Sequence, residues 1–314
     1  MKKEWYITFH GGAEERELNN IHVYSDEGRK LRKALDQDSL PLDIELRELR
    51  GHSFGPDGNL YVANAFQNYS QILRFKGARD KNQQHDFLDV FVQYDPIHNP
   101  GLSHPFNVVF DAEGNLHVTS QNTNTVLRYH GPKSVPNLMA TPMPLPSTLK
   151  KAAGLHPGTF CASSKQVAHG LKVVREALFA QGVLYVSDRD ADCIKKYDAT
   201  TATYLGHIAA SGLIDKPIQL AYRDHTLYVG NRGNESVVQC DLANNTVSPF
   251  INAGAGGLNN PAGLAFGDDG YFYVASRSSR QILRYALADG KPDRKPFIDG
   301  LQDDPEFIEL VMQS

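Results

Sequence analysis

The chain has 314 residues, a formal net charge of −4 and 41% hydrophobic residues, an ordinary composition for a globular protein with a sizeable core. It has no run of Lys and Arg that would form the basic stripe of a nucleic-acid-binding protein, so we expect no nucleic-acid partner. It also lacks an apolar stretch of about 18 residues, so we expect no membrane span.

One strand motif, in which aliphatic residues flank an aromatic residue or histidine, recurs along the chain. Its copies are 60–64, 116–120, 184–188, 227–231 and 272–276. Most copies follow a turn that contains glycine, as in Asp57-Gly58-Asn59. Glycine supplies the positive φ that a tight hairpin needs, so the motif predicts a strand that leaves a hairpin turn.

A second strand rich in β-branched and aromatic residues follows each copy after about ten residues. These second strands are 71–75, 125–129, 193–197, 236–240 and 281–285. A further strand precedes each glycine turn, most clearly at 104–110 and 260–266. Four antiparallel strands repeated at roughly 45 to 65 residues are typical of a β-propeller blade.

The remaining blade is divided between the two ends of the chain. Residues 5–9 and 20–24 match the two recurring strands, and residues 304–310 match the innermost strand that the N-terminus lacks. Pairing of the last strand with the first removes the exposed edges of an open array. The sequence therefore predicts an all-β protein with one domain over 1–314, a six-bladed β-propeller with four antiparallel strands per blade and a last blade closed by both termini.

A long segment rich in proline and methionine, residues 131–168, interrupts the repeat between blades 2 and 3. Loops of this length in a compact domain are commonly functional or disordered. The segment is suited to a lid or to a surface for a protein partner. An excursion on the outer rim, with no role in binding, is the alternative.

The repeats resemble those of a known superfamily. The elements Pro-x-Gly-Leu-Ala-Phe (261–266), Asp-Gly-x-Leu-Tyr-Val (57–62) and Gln-Ile-Leu-Arg-Tyr (281–285) are similar to NHL repeats and to SMP-30/gluconolactonase and streptogramin-lyase propellers. The resemblance covers nearly the whole chain and implies the fold. It does not choose a function, because these families include lactonases, lyases and non-catalytic scaffolds. It also implies a metal in the channel, held by carboxylate and Asn ligands in SMP-30-like enzymes and by histidines in propeller amidating lyases.

The residues that enter the innermost strands are expected to form a ring at one end of the channel. Aligning the blades gives the entrance ring as Glu48, His104, His169, Lys216, Asn260 and Asp304. Glu48, His104 and His169 lie on consecutive blades, and this set suits a divalent cation such as Zn, Ca, Mg, Mn or Fe. Alternatively, the two histidines cap backbone groups at the starts of strands.

His52 is the only polar residue among aligned positions deeper in the innermost strands. Its predicted equivalents are Val108, Val173, Leu220, Leu264 and Ile308. A buried polar group without a partner costs a few kcal/mol, so His52 needs a ligand, a metal or a buried hydrogen bond. A catalytic role and a structural role both remain open.

A second ring is expected where the recurring strand ends. It contains Asn64, Asn122, Asn231, Asp188, His10, Arg189, Arg232 and Arg277. The three arginines predict an anionic or strongly polar ligand, because guanidinium groups match carboxylate and phosphate; pairing with acids such as Asp190 and Asp192 is the alternative. We expect Asp188 to be the general base, His52 and His10 to be further catalytic residues or alternative metal ligands, and the three asparagines to contact the substrate.

These observations favour a small-molecule enzyme at the channel mouth, a metal-assisted hydrolase of the lactonase kind or a lyase. A non-catalytic binding scaffold and a metal-free acid–base enzyme that uses His and Arg are the alternatives. Cys161, Cys193 and Cys240 show no C-x-x-C spacing, and the N-terminus shows no apolar signal segment. We therefore expect reduced thiols and a cytoplasmic protein.

Overall fold

The structure, a computed structural model, describes residues 2–11, 18–66, 70–135 and 139–312, which form six antiparallel sheets. Each sheet is one blade, and the blades are numbered from the first complete one. Blade 1 contains β4 (Leu49–Phe54), β5 (Leu60–Asn64), β6 (Gln71–Arg79) and β7 (His85–Gln93). Blade 2 contains β8 (Pro105–Phe110), β9 (Leu116–Ser120), β10 (Thr125–Tyr129) and β11 (Thr159–Cys161). Blade 3 contains β12 (Val174–Ala180), β13 (Val183–Asp188), β14 (Cys193–Asp198) and β15 (Tyr204–Ile208).

The other three blades repeat this order of strands. Blade 4 contains β16 (Pro217–Arg223), β17 (Thr226–Asn231), β18 (Ser236–Asp241) and β19 (Thr246–Ile251). Blade 5 contains β20 (Pro261–Phe266), β21 (Tyr271–Ser276) and β22 (Gln281–Ala286), and a bridge between Ile282 and Ile298 extends it. Blade 6 contains β23 (Pro305–Met312), β1 (Lys3–Phe9), β2 (His22–Ser25) and β3 (Lys30–Lys33). Short 3-10 turns lie at Gln37–Ser39, Arg189–Ala191 and Ala255–Gly257.

The predicted closure of the ring is confirmed. The C-terminal β23 is the innermost strand of blade 6 and pairs with β1, with Ile308 opposite Ile7. Glu4 on β1 is buried between two guanidinium groups, at 2.6 Å from Arg32 of the same blade and 2.8 Å from Arg79 of blade 1. Burial opposes ionisation of Glu4, but the two arginines prevail and lower its pKa to about 2. This ion-pair network therefore ties the closing blade to its neighbour.

The hydrophobic core lies between neighbouring blades. Tyr61 and Phe91 of blade 1 and Val118 and Tyr129 of blade 2 belong to one buried cluster, with the first two rings 5.0 Å apart. The second strand of each blade is covered on both faces, so all five residues of β5 are buried. This explains why the recurring strand motif is a continuous apolar run rather than an alternation of polar and apolar residues.

An irregularity in the pairing of the innermost strand occurs near its start in every blade. In blade 2 it lies between Pro105 and Asn107, and in blade 3 between Val174 and Ala177. The other four blades show the same shift. A β-bulge redirects side chains locally, and here it turns the residue that follows the first strand position toward the central channel.

The segment 131–168 occupies a different place in the order of strands from the one predicted. It contains β11, the outer strand of blade 2, so the long excursion joins the third and fourth strands of blade 2 rather than blades 2 and 3. Residues 136–138 of the segment lie outside the described residues. A lid or a partner surface at this segment stays a prediction. Within the described parts of the chain, no helix has the length and apolarity needed to cross a membrane.

Candidate functional site

A cavity of about 210 Å³ lies at the mouth of the channel, the end at which the innermost strands begin. Its first ring consists of the second residue of each innermost strand: Arg50, Phe106, Arg175, Ile218, Ala262 and Glu306. Its second ring consists of residues that follow the recurring strand: Gln121, Arg232, Arg277 and His10. Asn260 and Pro261 complete the lining. Three residues of the predicted second ring, Arg232, Arg277 and His10, therefore lie in one cavity.

Backbone hydrogen bonds identify the true entrance residue of each blade. The second-ring residue donates its N–H to the carbonyl of the entrance residue, as Gln121 does to His104 at 3.1 Å and Arg232 does to Lys216 at 3.1 Å. In blade 3, Arg189 donates to Val173 at 2.8 Å. The blade 3 entrance residue is therefore Val173, four positions after the predicted His169.

His169 lies outside the cavity lining, and its prediction as a ring residue is wrong. Its imidazole stacks on the ring of Tyr204 in the outer strand of blade 3, with the centroids 4.8 Å apart. The same shift of register makes Ala177, opposite Val186, the equivalent of His52 on blade 3.

The remaining predicted metal ligands, Glu48 and His104, do lie together. Glu48 Oε1 is 3.7 Å from His104 Nε2 and also accepts a hydrogen bond from Arg50 Nη2. Among the described residues, no group of three or more His, Cys, Asp or Glu side chains is arranged to hold a metal ion. The donor set at this place is one carboxylate, already paired with a cation, and one imidazole, and it does not fit the predicted three-ligand site.

Both histidines near the mouth are held in the neutral form. Burial, and then the positive charges of Arg50 and Arg175, lower the pKa of His104 to about 4. Burial, followed by Arg50 and Arg277, also lowers the pKa of His10. The backbone of His10 is hydrogen-bonded to Asp304 and Arg50, whereas its imidazole has no hydrogen-bond partner among the described residues. His10 thus presents to the cavity a neutral imidazole that makes no hydrogen bond to the described residues.

One side of the cavity carries compensated charges. Glu306 is only 2% exposed, and its Oε1 lies 3.0 Å from Arg277 Nη1 and 3.4 Å from Arg50 Nη1. Asp304 lies 3.5 Å from Arg277 as well. The arginines of blades 1 and 5 are therefore neutralised by acids of blade 6.

The opposite side carries uncompensated positive charge. Arg175 is 8% exposed, and its guanidinium donates to the carbonyl of Val174 at 2.7 Å. No carboxylate of the described chain forms an ion pair with Arg175 or Arg232. Burial, and then repulsion from Arg189 and Arg232, lower the pKa of Arg175 to about 10, although the charges of Asp190 and Glu306 act against this shift, so Arg175 remains charged at neutral pH. A buried cation without a carboxylate partner is the principal electrostatic feature of this site.

Asp188, Asn64 and Asn231 share a structural role that the sequence interpretation missed. Each ends the second strand of its blade and accepts a backbone N–H from the loop that enters the innermost strand. Asp188 accepts from Val173 at 2.8 Å, Asn64 from Arg47 at 2.8 Å, and Asn231 from Asp215 at 3.2 Å. All three are fully buried and outside the cavity lining, so the structure places them as loop braces rather than as a base or substrate ligands.

Three further predicted residues lie beside the cavity rather than in its lining. His52 is buried deeper along β4, where its Nε2 is 3.2 Å from Glu309 Oε2. Asn122 is exposed and donates to Ser103 Oγ at 3.2 Å. Arg189 pairs with Asp190 at 2.8 Å and lines a neighbouring depression.

Sequence reasoning missed the first ring. Arg50, Arg175 and Glu306 each follow the first residue of an innermost strand, and in four blades that first residue is proline. The residue after that proline was an available signal for Glu306, whereas Arg50 follows Leu49 and Arg175 follows Val174. In blade 3 the strand begins with Val174, and without a proline to mark the start its register was misplaced.

The comparisons with known proteins agree with the fold. No family model and no curated protein matches the sequence. Among solved structures, the nidogen/laminin complex matches with a TM-score of 0.64 at 12% identity, covering 99% of this chain and 98% of that chain. The periplasmic gluconolactonase PpgL of Pseudomonas aeruginosa matches with a TM-score of 0.59 at 14% identity, covering 99% of both chains.

A streptogramin B lyase structure matches with a TM-score of 0.53 at 12% identity, covering 81% of this chain and 70% of that chain. At these identities the likeness shows the fold and leaves the function to the site. The chain is a six-bladed β-propeller similar in fold to proteins that include a lactonase and a lyase.

Proposed function

We propose that this protein is a small-molecule enzyme of the hydrolase or lyase class that acts by acid–base chemistry on an anionic substrate at the channel mouth. The observation that carries the proposal is the buried guanidinium of Arg175, which forms no ion pair with a described carboxylate and lies beside Arg232, in a cavity that also presents the neutral imidazole of His10.

The positive side of the cavity selects the charge of the substrate. A buried cation that lacks a partner costs several kcal/mol, and an anionic ligand group relieves that cost with charge-assisted hydrogen bonds. A planar guanidinium suits a carboxylate or phosphate. The cavity of about 210 Å³ is smaller than the usual ~300–1,000 Å³ of drug-sized pockets, which favours a small metabolite.

His10 is the acid–base group of the proposed mechanism. It belongs to blade 6, which lies across the ring of six blades from Arg175 of blade 3. In a hydrolysis, His10 would accept a proton from a water molecule whose oxygen adds to a carbonyl carbon, and would return it to the departing oxygen. In an elimination, it would accept a proton from carbon while the leaving group departs. A cavity guanidinium would stabilise the developing oxyanion in either case.

The proposal contains no step at a metal ion. Glu48 and His104 supply only two of the three ligands expected for a catalytic divalent cation, and Arg50 already pairs with Glu48. His104 is instead a neutral neighbour whose imidazole faces the carboxylate of Glu48. Retention of a divalent ion stays a prediction that elemental analysis can test.

The lining of the cavity favours an enzyme over a scaffold with a filled channel. Polar and charged groups from all six blades converge on one open space, as an enzyme for polar small molecules requires. We also propose the cytoplasm as the compartment. Cys161, Cys193 and Cys240 are buried free thiols, in agreement with a reducing environment.

Two variants separate binding from chemistry. We expect Arg175→Met to abolish binding of small carboxylates and phosphates in calorimetry, and His10→Asn to keep binding but lower kcat at least about 100-fold, the usual scale for a lost acid–base group. Substrates are found by screening lactones, esters and hydroxy acids with the wild-type protein. Arg223→Met is the matched control, because Arg223 also lies on an innermost strand but packs on Phe266, 4.2 Å from the ring centroid. Equal anion affinity in the wild type and Arg175→Met would overturn the proposal.

A further inference from the structure

A second depression adjoins the cavity between blades 3 and 4. It measures about 670 Å³ and is lined by Arg189, Asp190, Asp192, Lys216, Arg232 and Gly233. Arg232 lines both spaces, so a ligand in the cavity can continue into the depression past this one side chain.

The lining of the depression also carries more positive than negative charge. Arg189 is paired with Asp190, and the carboxylate of Asp192 accepts the backbone N–H of Lys216 at 2.8 Å. The ammonium group of Lys216 forms no ion pair with a described residue. The lining therefore holds three cations, Arg189, Lys216 and Arg232, against two carboxylates, which leaves a formal charge of +1.

The position of Lys216 is fixed by the fold. Its backbone adopts a left-handed conformation with φ of 48°, and its carbonyl accepts the N–H of Arg232 at 3.1 Å. A left-handed residue other than glycine is costly, and its persistence requires the surrounding hydrogen bonds. Lys216 and Arg232 are therefore held side by side at the boundary of the two spaces.

The opposite wall of the cavity offers no comparable place for a second anion. Glu306 and Asp304 of blade 6 compensate Arg277, and Glu48 of blade 1 pairs with Arg50. A second anionic group directed to that side would meet these carboxylates. The charge distribution thus favours a ligand that extends from the cavity outward between blades 3 and 4.

We propose that the substrate carries two separated anionic groups, carboxylate or phosphate, one held by Arg175 and Arg232 in the cavity and the other by Lys216 in the depression. This inference rests on the proposed function and specifies its substrate class. Arg232 lies between the two groups and contributes to both. The chemistry to expect is that of small dicarboxylates and phosphorylated acids rather than of simple monocarboxylates.

Matched acids test this inference by calorimetry at constant ionic strength. The probes are butyrate as the monoanion and succinate, glutarate and adipate as dianions of increasing span. In the wild type we expect the best dianion to bind at least about tenfold more tightly than butyrate, which corresponds to about 1.4 kcal/mol. Lys216→Gln is expected to abolish this preference and to weaken butyrate binding no more than the control variant does.

The controls distinguish this inference from the proposed function. Lys295→Gln removes an exposed lysine of blade 5. It therefore shows how much anion affinity changes when one positive charge is lost elsewhere on the surface. A dianion preference that survives in Lys216→Gln, or that is absent from the wild type while butyrate binds through Arg175, overturns only the second anionic group. Failure of both butyrate and the dianions to bind the folded wild type overturns the anionic-substrate proposal as well.

Discussion

Glu306 and Arg277 form a 3.0 Å ion pair between blades 6 and 5, and this pair determines how much positive charge the cavity presents. The same carboxylate oxygen of Glu306 is 3.4 Å from Arg50 Nη1. One buried acid therefore serves two guanidinium groups, whereas Arg175 on the other side forms no ion pair with a described carboxylate. Glu306, with Glu48 beside Arg50 and Asp304 beside Arg277, makes the two sides of the site differ in charge.

Glu306→Gln should strengthen anion binding several-fold, because it removes the carboxylate nearest to Arg277, which also lies 3.4 Å from Arg50, while keeping the shape of the side chain. It should also lower the pKa of His10 further, since Glu306 opposes the effects of burial and of the two arginines there. Calorimetry and an NMR titration of the His10 ring measure the two effects. Asp299→Asn, which alters an exposed acid paired with Gln281, is the control. Weaker anion binding in Glu306→Gln would show that Glu306 orients the arginines instead.

Arg175→Met should increase the free energy of unfolding by about 1–3 kcal/mol while anion binding is lost. Replacing a buried, uncompensated cation with an apolar side chain of similar length removes its desolvation cost, and Phe106 nearby can pack against the new side chain. Urea denaturation of the ligand-free proteins measures the change. A loss of stability similar to that of a core truncation would mean that the guanidinium holds the blades together.

Glu176, directly after Arg175, should make stability fall with rising pH. It is buried and accepts the N–H of Leu220 at 2.7 Å, and burial raises its pKa to about 8. Because the folded carboxyl keeps its proton above the unfolded pKa of 4.5, the stability it contributes at low pH is lost as pH rises toward 8. The expected slope is about 1.4 kcal/mol per pH unit.

Denaturation between about pH 5 and pH 8 should therefore show a flatter profile for Glu176→Gln than for the wild type. Glu235→Gln, at a half-buried glutamate of blade 4, should keep the wild-type slope. Identical profiles for Glu176→Gln and the wild type would show that Glu176 is ionised in the folded protein.

Asp188→Ala should destabilise the protein by about 3–5 kcal/mol, because it leaves the buried ammonium of Lys195 and the N–H groups of Lys172 and Val173 without their carboxylate. Ser276→Ala, at the same position of blade 5, removes one brace without exposing a charge and should cost less. Turnover per folded molecule should stay unchanged in both variants. A loss of kcat in Asp188→Asn at full folding would instead restore Asp188 as the general base.

Elemental analysis of the dialysed protein tests the metal prediction. Since Glu48 and His104 supply only two ligands, we expect less than one equivalent of divalent metal to be retained, and equal amounts in the wild type and the double variant His104→Ala, His169→Ala. A stoichiometric ion in the wild type that the folded double variant loses would establish the predicted metal site and require a mechanism built around it.

The fold was readable from the sequence because its signals are local. A glycine turn such as Gly58 (φ 77°), the buried run Leu60–Asn64 and the strand Gln71–Arg79 define a hairpin within some twenty consecutive residues, and the repeat multiplies the signal. The closing strand Pro305–Met312 was found because the N-terminal blade lacked an inner strand. The prediction of His10, Arg232 and Arg277 at one mouth followed from the same repeat.

Only the tertiary structure decided which of these side chains line the cavity without an ion-pair or hydrogen-bond partner in the described part of the chain. The innermost strand of blade 3 begins at Val174, so Val173 takes the ring position predicted for His169, and the bulge after Val174 directs Arg175 into the cavity. Charge compensation depends on contacts between residues far apart in the chain, such as Arg50 with Glu306. A repeat specifies its own hairpin, but Glu306, which pairs with both Arg50 and Arg277, belongs to a different blade from either, and no pattern within one repeat predicts such a pair.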